Sequence, residues 1–211
     1  MNEHLLSYLT HRHTLSTRDY LLDLIMFHLM PLLWSSKSAE LMTFTGGVRK
    51  DLPEIWDRIK TAFFPLVSGP ITIDYVELYR DNKQITVFFY NAFRLDKIMS
   101  DHANRNFLIQ YGYNPDESWS SNLDILKARF RHPPFPHEVG LFLGIPLHDV
   151  RMFIECPGAK PILKGYWKVY QSQENAKELF DAYTRARDIF IQYVIAGNSV
   201  ADFYIKARQA L

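Results

Sequence analysis

Eight histidines, one cysteine and a scatter of lysines are the residues of this chain best suited to chemistry. Four groups of them have spacing worth reading. His28 precedes Pro31 by three residues inside an apolar run, and Lys37 follows. A proline frees a backbone carbonyl, so a nearby histidine can either satisfy that carbonyl or face a pocket as ligand or general acid/base. His137 and Glu138 open the stretch Phe135 to Pro146. Read as the first turn of a short helix, they lie beside exposed N–H groups that suit an anion, or suit Glu138 itself as a capping carboxylate. Tyr166, Lys168 and Tyr170 alternate along the third group. On one strand face, a lysine between two tyrosines would hold a planar anion by charge and stacking, or would simply snorkel to water. The fourth is Cys156-Pro157, the form of a haem-responsive thiolate ligand and equally of a Pro-Gly turn after a packed thiol.

Many chemistries are excluded. The phosphate-cradling GxxxxGK[ST] and GxGxxG loops and the GxSxG nucleophile elbow are absent. His137-Glu138 begins like a zinc-protease helix, but Leu141 stands where the second histidine belongs. One cysteine allows neither an internal disulfide nor a multi-cysteine metal cage, and no metal site is expected. Lys and Arg number 24 against 23 Asp and Glu, so the net charge of +1 attracts neither nucleic acid nor an anionic membrane. Lys127, Arg129 and Arg131 make only a short basic run of the kind a solvated face carries. The most apolar stretch, Tyr20 to Trp34, is broken by Asp23, His28 and Pro31. It falls short of the roughly 20 residues of a bilayer helix and lies late for a signal peptide, so the cytoplasm is the expected compartment.

The elements that must position these groups follow from periodicity. Hydrophobic residues are 47% of the chain, ample for a core. Residues 1–17 read as a polar arm and 18–211 as a single domain. An all-round apolar helix starts at Arg18 and is ended or kinked by Pro31. A short strand from Leu41 to Thr45 stops at Gly46-Gly47, and a helix from Leu52 to Phe64 follows. The alternation from Ile71 to Tyr79, then Gln84 to Tyr90, predicts a β-hairpin, with Asn82 suited to a left-handed turn position. Leu95 to Arg131 predicts two or three helices, and the proline-rich 131–136 segment an extended connector. Two short helices, separated by Gly144, lead to a strand over Lys164 to Tyr170. A long amphipathic helix capped by Ser172 comes next, then a last one through Lys206. The order predicts an α+β fold: a small mixed or antiparallel sheet with one hairpin, covered by several helices.

Three stretches together resemble the bacterial DUF3793 family. His28-Leu-Met-Pro31 with Lys37 and Leu41 is similar to its H-x-x-P…K…L opening. Phe135 to Pro146 resembles its F-P-H-E-[IV]-G-x-F-L-G-x-P core, and Gly165 to Tyr170 its W-K-V-Y block. The resemblance spans about Phe27 to Val194. It implies a setting mainly in anaerobic Firmicutes, with flavodoxin and ferrous-iron-transport genes nearby, and so iron, haem or redox physiology, with haem or flavin as the cofactors to consider. It carries over no reaction. Many members have a cysteine just before the W-K-V-Y block, whereas here Lys164 and Gly165 stand there and Cys156 lies farther upstream, which weakens a thiol-based role.

Two function classes follow. In the first, the protein binds a small anionic or planar ligand where the His137 helix start meets the Lys168 strand. Lys37, Lys168, His137 and Glu138 would contact it, Tyr166 or Tyr170 would stack, and His28, His137 or Glu138 would be the catalytic candidates. In the second, it is a non-catalytic interaction or regulatory protein with a protein partner or a second copy, marked by an exposed apolar patch on the Leu21 to Trp34 helix or the C-terminal helices.

Overall fold

The computed structural model describes residues 3–45, 51–64 and 72–203. Gly46-Gly47, Ile71 and Lys206 lie outside the described residues. Among those described, three strands form an antiparallel sheet in the order β1-β3-β2: β1 (Ala39–Thr45), β2 (Asp74–Arg80) and β3 (Gln84–Tyr90). Helices cover both of its faces, and the fold is α+β. Successive side chains of a strand point to opposite faces, so β3 splits its apolar residues between two cores. Ile85, Val87 and Phe89 join one core, and Phe88 and Tyr90 join the other. The first core is closed by α1 (Glu3–Thr14), α2 (Thr17–Trp34), α3 (Leu52–Phe63) and α9 (Gln173–Ile195). The second is closed by α4 (Ala92–Ser100), α5 (His102–Ile109), α6 (Trp119–Phe130), α7 (Val139–Phe142) and α8 (Leu147–Glu155).

The expected hairpin is β2–β3, but its turn is built differently. Asn82 does not adopt a left-handed conformation; Ser172 is the sole non-glycine residue with positive φ among those described. Instead the Asp81 carboxylate accepts the N–H groups of Lys83 and Gln84 at 2.7 and 2.9 Å and closes the turn. Ser172 stands at the start of α9 without capping it by its side chain. Pro31 does not end α2. The helix runs one more turn, and both the N–H and the hydroxyl of Ser35 donate to the Pro31 carbonyl, at 3.1 and 2.6 Å. The 131–136 connector bends rather than running extended.

The N-terminal segment read as an arm is a packed helix. Leu5, Tyr8, Leu9 and Arg12 recur at helical spacing and meet the first core, Tyr8 being fully buried. The Tyr8 hydroxyl donates to Asp23 Oδ2 at 2.6 Å, and Arg12 Nε lies 2.9 Å from the same oxygen. Residues between Leu5 and Arg12 that read as polar in a linear scan are the solvated face of that helix. Tyr8→Ala should therefore cost about 3–5 kcal/mol in urea unfolding. Leu6→Ala, on the exposed side, should stay within about 0.5 kcal/mol. Equal, negligible effects would mean that α1 does not dock.

Candidate functional site

The sequence-nominated residues fall into separate neighbourhoods. The Gly165–Tyr170 segment is not one strand. It is a tight hairpin of β4 (Leu163–Lys164) and β5 (Lys168–Val169), with the Gly165 N–H donating to the Trp167 carbonyl at 3.0 Å. A side chain at position 165 would collide with the Phe180 ring, since an ideal Cβ there lies 2.2 Å from its Cε2. Glycine is the residue that lets the turn press against α9. Tyr166 consequently sits in the turn, its hydroxyl 3.2 Å from the Thr184 hydroxyl, and it does not share a strand face with Lys168 and Tyr170.

One residue absent from the sequence-based list orders this region. Asp149, in the first turn of α8, is buried, and its carboxylate accepts three N–H groups from the hairpin side. Trp167 Nε1 donates to Oδ2 at 2.8 Å, and the backbone N–H groups of Tyr170 and Gln171 donate to Oδ1 at 2.8 and 3.3 Å. The Trp167 ring meets the edge of Phe180 at 4.5 Å, so one side chain is held between α8 and α9.

Docking the hairpin there leaves a cleft of about 320 Å³ between it, β1, α7 and α8. Its wall is apolar, from Leu41, Val139, Gly140, Leu143, Val150 and Phe153, and His137 and Lys168 contribute its polar tips. Both pack on Phe153: the His137 ring centroid lies 5.0 Å from that of Phe153, and Lys168 Nζ lies 5.1 Å from the same ring. Gly144, at φ +88°, turns the chain out of α7 towards Ile145, which completes the wall. Gly140 is held close: a Cβ there would lie 3.3 Å from Val150 and 3.4 Å from Ile145.

Glu138 points elsewhere. It is buried against the guanidinium of Arg129, with the Tyr113 hydroxyl donating to it at 3.4 Å. Glu138 does stand at the N-cap of the four-residue α7, but its side chain makes no capping hydrogen bond and is committed to Arg129 instead. Cys156 is exposed at the end of α8. Among the described residues, no group of three His, Cys, Asp or Glu side chains is placed to hold a metal ion. No helix there is long and apolar enough to cross a membrane.

His28 and Lys37 do meet, through a second carboxylate that linear reading passed over. Glu40 Oε1 lies 3.3 Å from His28 Nδ1, and Oε2 accepts from Lys37 Nζ. The loop that presents Lys37 is pinned on both sides. Arg94 donates to the carbonyls of Leu32 and Lys37 at 2.8 and 2.6 Å, and the Ser38 hydroxyl donates to the Phe142 carbonyl at 2.9 Å. Lys37 Nζ also lies 5.4 Å from the centroid of Tyr183, whose ring meets Tyr166 edge-on. His28 therefore answers a carboxylate rather than the carbonyl that Pro31 frees. The available sequence signal was Lys37-x-x-Glu40, an opposite-charge pair three residues apart.

The family model described as Protein of unknown function (DUF3793) matches residues 25–204. The chain belongs to the DUF3793 family. All of α1 and the first part of α2 precede the match, whereas His28, Glu40, the cleft and both hairpins fall within it. No curated protein and no solved structure matches the chain.

Two outcomes follow. Asp149→Ala should strand three N–H donors, cost about 3 kcal/mol and lower Tm by roughly 10 °C in a circular-dichroism melt. A loss below about 1 kcal/mol would show that the hairpin is held by other contacts. Burial opposes the Glu40 charge, but the His28 hydrogen bond and the Lys37 charge outweigh it and hold this carboxyl below its ordinary value of 4.5. The folded state thus binds fewer protons there than the unfolded one, and the stabilisation present above that value is lost as pH falls through the folded-state pKa. Glu40→Gln should flatten the acid limb of a stability-versus-pH curve, and an unchanged limb would contradict the assignment.

Proposed function

We propose that the cleft between α7, α8 and the β4–β5 hairpin binds a small ligand with an apolar, planar body and an anionic head. The supporting observation is the combination at its mouth. An apolar cavity of about 320 Å³ carries His137 and Lys168 at its rim, and neither side chain has a hydrogen-bond partner among the described residues. A pocket of predominantly apolar lining with a few convergent polar groups is the general form of a ligand site. Lys168 supplies charge to the head, and Phe135, Phe153 and Trp167 offer faces or edges to the body. His137 is the acid/base candidate that shares this space; His28, Lys37 and Tyr166 belong to another neighbourhood.

The cavity lies at the small end of the range for ligand pockets, which is about 300–1,000 Å³. That size favours a body of one or two rings over a whole haem or flavin, the planar anions that iron or redox physiology would suggest. The competing reading is an interaction protein. The feature expected of it, a bare apolar face on α2, is not what carries weight: α2 is buried along most of its length, and Trp34 at its end packs on Phe203. The exposed Phe135 and Phe153 are the side chains on which a partner would press instead.

The test is a titration with 2-naphthoate followed by tryptophan fluorescence, alongside native mass spectrometry and absorbance spectra of protein purified anaerobically. Saturable binding is expected, weakened about fivefold or more by Lys168→Ala and lost in Leu143→Trp, which fills the cleft. A clean unliganded mass with no saturable binding of naphthoate would sink this reading and shift attention to a partner chain.

A further inference from the structure

We propose that Arg187 is the recognition group of a carboxylate-binding site between α2, α9 and the β4–β5 turn, separate from the cleft at Lys168. Its guanidinium carbon lies 5.0 Å from the ring centroid of Phe27 and 4.9 Å from that of Tyr166. Two aromatic contacts hold the group in place and strip water from its faces. They satisfy none of its N–H donors. Nε is shut off from solvent and has no hydrogen-bond acceptor, and no carboxylate among the described residues forms an ion pair with this arginine. A partly buried guanidinium ordinarily has an acid opposite it, because desolvating an unpaired charge is costly.

The neighbouring acid is already committed. Glu40 is engaged by Lys37 and His28, and Arg187 is close enough to Lys37 for the two cations to repel. Lys37, Glu40 and Arg187 together carry one uncompensated positive charge, which a monoanion neutralises. Arginine's rigid planar fork matches the two oxygens of a carboxylate, an arrangement that lysine cannot copy. The group is reachable: Arg187 is half-buried, Tyr166 is 37% exposed and the His28 side chain 32% exposed. A purely structural arginine would be satisfied within the fold, whereas here no guanidinium nitrogen has an acceptor among the described residues and the two terminal nitrogens, unlike Nε, stay open to solvent, which points outward to a ligand.

The test is an NMR titration of the full chain with acetate at constant ionic strength, chloride making up the balance, read at the arginine Nε–Hε signals. Saturable binding is expected, with the largest shift at Arg187. Arg187→Lys should weaken it about fivefold or more, while Lys168→Ala, which alters only the cleft, should leave it unchanged. The wild-type titration decides even if an Arg187 variant does not fold. A shift at Arg187 no larger than chloride produces, or equal affinity in folded Arg187→Lys, overturns the site. Inorganic phosphate binding more than about tenfold tighter than acetate overturns the carboxylate assignment.

Discussion

The Asp149 carboxylate is the constraint on which the region most able to do chemistry depends. It is one buried charge, and it is tolerable because three N–H donors from the hairpin side converge on it. Those donors come from residues 167 to 171, so satisfying Asp149 and docking the hairpin on α8 are the same event. The hairpin is too short to hold its own shape, having two paired residues per strand. Its geometry is borrowed from α8 through Asp149 and from α9 through Phe180, which occupies the space a side chain at Gly165 would need. The cleft wall that carries Lys168 is the outer surface of that arrangement.

A second buried carboxylate plays the corresponding part on the other side. Glu40 lies on β1 beside Leu41, and alternation along the strand sends the two side chains to opposite faces. Leu41 reaches the cleft, and Glu40 reaches the basic cluster of Lys37, His28 and, beyond them, Arg187. One strand thus separates an apolar cavity with a charged rim from a polar cluster with aromatic walls. The three stretches read as resembling family motifs supply both neighbourhoods: the first gives His28 and Lys37 to the polar cluster and Leu41 to the cleft, the second lines the cleft, and the third contributes Tyr166 to one and Lys168 to the other.

The fold class, the hairpin and most helices were legible because they rest on local periodicity, which the chain states plainly. Misreadings arose where a distant residue decided the local outcome. Tyr166, Lys168 and Tyr170 alternate as a strand would, but Phe180 and Asp149 hold the segment as a hairpin with Tyr166 in its turn and Lys168 on β5. Residues 3–14 look polar when counted, and only their helical spacing exposes the Tyr8 face that meets α2 and α9. Of the nominated residues, His137 and Lys168 share a cleft, and His28 and Lys37 share a carboxylate. Glu138 and His137 are adjacent on a turn and so face different ways, one to Arg129 and the other to the cleft. Asp149 and Arg187 acquire meaning only from partners in other elements, which spacing alone does not reveal, whereas Glu40 carries a local signal in its spacing from Lys37.

The division of β3 between two cores has a consequence for how the family can vary. Exchanging one apolar side chain for another of similar volume disturbs a single core and is the kind of change that packed interiors absorb. Adding or removing one residue between Thr86 and Tyr90 is different in kind, because every side chain beyond the change would cross to the opposite face. Phe88 and Phe89 would trade places, and two clusters of different shape would each receive the other's contents. The length of this strand is therefore held more tightly than its composition, and natural insertions should gather in the connections and spare the middle of the sheet.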